Sequence, residues 1–82
     1  MNEVSDPHGT IEVDASGWSC PRPVRELARA IDAAEVGQLV VLTATDPTAR
    51  VDVPVWCRLH RHRLHRIDAV EDTWRFVVQR SG

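Results

Sequence analysis

The sequence predicts an α+β fold: a two-layer α/β sandwich in which a four-stranded mixed sheet carries two helices on one face, in the order βαβαββ. Three observations predict it. Apolar residues recur at helical spacing in two segments, each set between strand-like stretches. Leu39-Val40-Val41-Leu42 is a continuous apolar run, suited to a central strand buried on most of its faces. The end of the chain holds two β-rich stretches with Glu71-Asp72 between them, the pattern of a hairpin.

The elements follow in order. Residues 1–9 read as a flexible leader, and 10–82 as a single domain. Thr10 to Asp14 alternates and reads as a short strand, followed by the turn-prone Ala15-Ser16-Gly17-Trp18-Ser19. Pro21 to Glu35 places Val24, Leu27, Ala28 and Ile31 on one side, the face of an amphipathic helix, with Gly37 as its stop. The apolar run from Leu39 comes next, broken by Thr45-Asp46-Pro47. A second helix is expected from about Asp52 to His62, with Asp52 as N-cap and Pro54 in the first turn, where a missing N–H costs little. Leu64 to Val70 and Thr73 to Val78 complete the sheet.

Composition narrows the function. The chain has 82 residues, 43% of them hydrophobic and 27% charged, with a net charge of −2. That size suits one modest core and excludes a multidomain enzyme. No apolar run reaches the ~20 residues of a membrane span. Met1-Asn2-Glu3-Val4-Ser5-Asp6 is not a secretory signal, so the expectation is a cytoplasmic protein. All basic residues are arginine, which excludes a Schiff-base lysine and a P-loop lysine. Two cysteines make no disulfide scaffold, so each is considered as a thiol.

Cys20-Pro21-Arg22-Pro23 is the most informative stretch. Cys20 immediately precedes the first expected helix. The free N–H groups and positive dipole end found there favour a thiolate and a thiol pKa below its ordinary value. Pro21 and Pro23 fall in the first turn, at N1 and N3, and stiffen the start. Position 23 is proline, so there is no Cys-x-x-Cys pair and no thioredoxin-type chemistry. A buried, inert cysteine beside a proline-marked helix start is the competing interpretation.

Asp14-x-x-Gly17-x-x-Cys20-Pro21-x-Pro23 resembles the signature of the TusA/SirA family of small sulfur-carrier proteins. Asp46-Pro47, then Asp52-x-Pro54-x-x-Cys57, are similar to the family's later landmarks, and the likeness covers roughly residues 10–80. The resemblance implies a sulfurtransferase that works as a carrier without a cofactor. Cys20 would accept sulfane sulfur as a persulfide from a cysteine desulfurase or another sulfurtransferase and pass it to a downstream protein thiol. The pathways it implies are tRNA thiolation, molybdenum-cofactor sulfuration and sulfur oxidation. Asp14, Gly17, Pro21 and Pro23 would shape the loop and helix start. Persulfide transfer needs an exposed thiolate reachable by the next thiol, and no deep pocket.

Other residues carry two readings each. Arg22, Arg25 and Arg29 share a helix face that would meet an acidic donor or be simply solvated. Asp46 sits where the family pattern places an acid after the second strand, and would contact a partner or serve the loop alone. Trp18 would shield the persulfide or cover core. Cys57 would resolve the persulfide or fill the core. Cys57, His60, His62 and His65 match no zinc spacing, so no metal is expected. Residues 56–82 hold six of the ten arginines and three of the four histidines. Negative net charge and the lack of interleaved aromatics argue against nucleic acid there. The alternative to a carrier is a non-catalytic regulatory module that contacts a protein or RNA through this arginine-rich half.

Overall fold

A computed structural model describes residues 9–82; nearly all of the leader expected at residues 1–9 lies outside them. The elements are β1 (Thr10–Ala15), α1 (Arg22–Ala33), β2 (Leu39–Ala44), α2 (Ala49–Leu59), β3 (Arg63–Val70) and β4 (Thr73–Gln79). The order is βαβαββ, and the four strands form one mixed sheet ordered β1-β2-β4-β3. β1 runs parallel to β2, with Thr10 opposite Leu39. β4 is antiparallel to both β2 and β3.

Alternation along the strands sorts side chains between two faces. Val40, Leu42 and Ala44 of β2 join Phe76 and Val78 of β4 on the inner face. Both helices pack on that face: α1 contributes Leu27 and Ile31, and α2 contributes Ala49, Val53 and Cys57. The central strands owe their burial to this one-sided cover together with the paired Val41 and Val77, which lie on the open face and are themselves buried. Arg75 lies on that open face too, 3.7 Å from Glu12.

The hairpin forms where the sequence places it. Glu71 takes a left-handed φ of 55° in the two-residue turn, and Val70 pairs with Thr73. β3 carries a bulge between Leu64 and Arg66.

The helix limits differ from expectation in ways that have local causes. α1 starts at Arg22, so Pro21 is the N-cap and Pro23 the second helical residue, one position earlier than the sequence suggests. The Arg22 N–H bonds back to the Ser19 carbonyl at 3.0 Å, which closes a turn ahead of the helix. At the other end α1 stops at Ala33, and Gly37 is not its cap. Gly37 has φ 91° inside a separate turn, where Gln38 N–H meets the Glu35 carbonyl at 2.9 Å. Arg80 caps α1 instead. Its guanidinium donates to the carbonyls of Ile31, Asp32 and Ala34.

α2 begins three residues before the expected Asp52. Asp46 accepts the Thr48 N–H at 3.0 Å, and its own carbonyl accepts the Ala49 N–H at 3.0 Å. The helix therefore starts from the Asp46-Pro47-Thr48 turn, which the sequence reading took only as a break. Asp52 consequently lies in the first turn, and Pro54 is inside the helix. α2 ends at Leu59, short of His62. Arg61 adopts φ 62°, and the His62 N–H bonds to the Cys57 carbonyl at 2.9 Å. That is a Schellman closure with arginine in the position glycine usually fills.

Candidate functional site

The site forms where parallel β1 and β2 end and the loops to their helices leave the sheet. In the first loop Asp14 Oδ1 accepts the Ser16 N–H at 3.0 Å. The Trp18 N–H returns to the Ala15 carbonyl at 3.1 Å. Gly17 sits in this turn at φ 82°, a conformation L side chains rarely adopt. Its N–H donates to Thr45 Oγ1 at 2.8 Å. Three residues on, the Cys20 N–H donates to Asp46 Oδ2, also at 2.8 Å. Two donors of the β1–α1 loop are thus held by two side chains of the β2–α2 loop.

Cys20 emerges half-buried at this junction, joined to Pro21 by a cis peptide bond, immediately before α1. Its surroundings reverse the sequence expectation of a depressed thiol pKa. Burial, and then the nearby charges of Asp46 and Asp52, push it up to about 11. Burial is the larger cause, and charge adds to it. A helix start offers partial positive charge, whereas two carboxylates place full negative charges beside the sulfur. The N–H of Cys20 itself is already given to Asp46. Those same N–H bonds, from Cys20 and then Thr48, hold the Asp46 carboxyl below the usual carboxylate range. Asp14 is lowered likewise by its hydrogen bonds with Ser16.

Trp18 and Arg22 frame the thiol in sequence and stack together, with the guanidinium 3.9 Å from the indole ring centre. Arg25 and Arg29 are exposed on α1, and Arg29 lies 3.7 Å from Glu26.

The family model described as Sulfurtransferase TusA matches residues 11–80, which takes in this site, both helices and all of the sheet except Thr10. The chain belongs to the TusA sulfurtransferase family. Two relatives from Archaeoglobus fulgidus, both bearing the name "Putative sulfur carrier protein", are similar along most of their lengths. One is 34% identical over 70 residues, covering 85% of this chain and 96% of the relative. The other is 36% identical over 69 residues, covering 83% and 90%.

Within this TusA-family chain the second thiol is placed very differently from the first. Cys57 is 2% exposed, packed in the core on the inner side of α2, and burial pushes its pKa up to about 11. The three histidines of the second half do not converge with it. His60 and His62 lie on the Trp56 ring, at 4.8 Å and 5.4 Å between centroids. His62 Nδ1 accepts the Ser81 N–H at 3.1 Å, and burial lowers its pKa. His65 hydrogen bonds Gln79 at 2.9 Å. Among the described residues no three histidine, cysteine or carboxylate groups cluster as a metal site would require. Nor does any enclosed cavity form among them.

Thr45 and Asp52 are the site residues the sequence reading did not assign. In sequence Thr45 stands in a strand break, and Asp52 is a helix-cap candidate that also opens a family landmark. The sole sequence signal was their company: Thr45 precedes Asp46, and Asp52 opens the Asp-x-Pro landmark.

Proposed function

We propose that this sulfur carrier accepts sulfane sulfur as a persulfide on Cys20 and relays it to a thiol of a downstream protein. The observation that carries this reading is the contrast between the two thiols. Cys20 is half-buried at a loop held by Thr45 and Asp46, while Cys57 is closed inside the core. Only the first is within reach of another protein's sulfur. A surface without a cavity suits a substrate delivered on a partner's loop.

The donor in this account is a cysteine desulfurase or another sulfurtransferase. The acceptor is a thiol protein serving tRNA thiolation, cofactor sulfuration or sulfur oxidation. Exposed Arg22, Arg25 and Arg29 fit an acidic donor surface, since rim charges of this kind govern encounter rate. No helix among the described residues is long and apolar enough to cross a membrane, and we place the relay in the cytoplasm.

The relay is tested in two stages. A cysteine desulfurase with radiolabelled cysteine should charge the chain with reductant-removable sulfur. Repurified charged protein should then surrender label to an added thiol protein. Label that stays on the chain under every thiol acceptor tried would argue against a carrier.

A further inference from the structure

Three exposed arginines gather where α2 hands over to β3. Arg58 stands in the last turn of α2, Arg61 lies just past it, and Arg63 opens β3. Among the described residues none of the three forms an ion pair or a side-chain hydrogen bond. Most other arginines are engaged: Arg22 on Trp18, Arg66 with Asp68, Arg75 with Glu12, Arg80 on the carbonyls of α1. No acid occurs from Trp56 to Ile67. Asp32 of α1 is close enough to act on His62, yet it pairs with none of the three.

The backbone at Arg61 is a second, independent observation. Its φ of 62° is strained for any residue with a side chain and free of strain for glycine. Its N–H bonds the Arg58 carbonyl at 3.3 Å, a bond glycine would make equally well. The fold thus carries strain for a guanidinium that no described residue uses, and strain of this kind gathers at functional positions. Beside it, Leu59 is 72% exposed, more than any other large apolar side chain described.

This corner is remote from the thiol. Arg63 lies opposite Gln79, and Gln79 opposite Leu39 at the start of β2. Thr45 and Asp46, which hold the Cys20 loop, follow the other end of that strand. The six residues of β2 set the two ends roughly 16 Å apart.

We propose that Arg58, Arg61 and Arg63 dock an acidic segment of a partner protein, which sets carboxylates against the guanidinium groups and an apolar side chain against Leu59. Guanidinium forks match carboxylates two bonds at a time. Leu59 favours a protein over a nucleic acid, because a sugar–phosphate backbone has little apolar surface to bury there. The net charge of −2 also opposes a long polyanion. A partner held at this end leaves Cys20, at the other end, open to a second protein.

The test uses the full chain and the fluorescence anisotropy of a labelled glutamate peptide with a central leucine. The wild type should bind it, and added salt should weaken the binding. Arg61→Gly should weaken it about threefold, and the triple variant Arg58→Ser, Arg61→Gly, Arg63→Ser at least about tenfold, the scale of exposed charge pairs. Leu59→Ser should weaken it about threefold. Circular dichroism should show native secondary structure in every variant, since all four side chains are exposed. Oligouridylate of matching charge should bind more weakly than the peptide. A wild type that does not bind the peptide overturns the proposal, as does a folded triple variant that binds equally well. Tighter binding of oligouridylate, or no effect of Leu59→Ser, overturns the choice of a protein partner and the proposal with it. Sulfur on Cys20 plays no part in the measurement, so failure of the relay and failure of the docking are separate results.

Discussion

The backbone N–H of Cys20 donates to the carboxylate of Asp46 at 2.8 Å, joining the start of α1 to the end of β2. One side chain thereby positions the thiol and, through its charge, holds the proton on it. The two effects are separable by experiment.

Cys20 should be a slow nucleophile in the isolated protein at neutral pH. With its thiol pushed up to about 11, the alkylation rate should climb about tenfold per pH unit across mildly alkaline pH. A rate that levels off below about pH 9, near the ordinary thiol range, would contradict the carboxylate effect. Asp46→Asn removes one of the two charges and should move the whole profile to lower pH.

Asp46 should also leave a mark on acid stability. Its carboxyl is held below its ordinary value in the folded chain. Its contribution is therefore present above the ordinary carboxylate pKa and is lost as pH falls through the lowered one. Denaturant titrations of the wild type from about pH 5 downward should show this loss. Asp46→Asn should show a smaller pH slope over the same window, and an identical slope would contradict the assignment.

Cys57 should be dispensable for chemistry and needed for packing. Cys57→Ala should keep sulfur loading on Cys20 and cost about 1 kcal/mol of stability, the order expected for removing one buried heavy atom from a closed core. Loss of loading in a folded Cys57→Ala protein would instead give the second thiol a part in the relay.

Arg80 should prove a structural residue despite its place in the arginine-rich half. It caps α1 by donating to Ile31, Asp32 and Ala34. Arg80→Met should cost about 2 kcal/mol in chemical unfolding, because partly buried carbonyls lose a charged donor. A cost near zero would show that water replaces the cap.

Arg61 offers the opposite sign. It holds φ 62° at the end of α2, where a side chain is strained. Arg61→Gly should raise stability by about 0.5–1 kcal/mol, measured by the unfolding midpoint at constant m-value. Destabilisation would show that the arginine side chain makes contacts worth more than the strain.

The parts of this fold legible in the sequence are those governed by neighbours along the chain. The Leu39 run was legible as a central strand because a continuous apolar run suits a strand with neighbours on both edges: β2 lies between β1 and β4, with Val40 and Leu42 under the helices and Val41 buried beside Val77. Glu71-Asp72 gave the hairpin because two polar residues separate two alternating stretches. Cys20 was legible as a helix-start thiol for the same reason. What could not be read were the arrangements that close across the chain. Asp46 serves Thr48 locally and Cys20 at a distance, and only the local bond determines where α2 begins. The cap on α1 comes from Arg80, at the far end of the sequence. The thiol pKa was misjudged because the helix start is visible in Cys20-Pro21-Arg22-Pro23, whereas the two carboxylates arrive from the next loop and helix.

The most direct test of the central claim is intact-protein mass spectrometry after incubation with a cysteine desulfurase and cysteine, with Cys20→Ser alongside. The account predicts a reductant-removable gain of one sulfur atom on the wild type and none on Cys20→Ser. An equal gain on Cys20→Ser would contradict it, because the sulfur would then be carried somewhere other than Cys20.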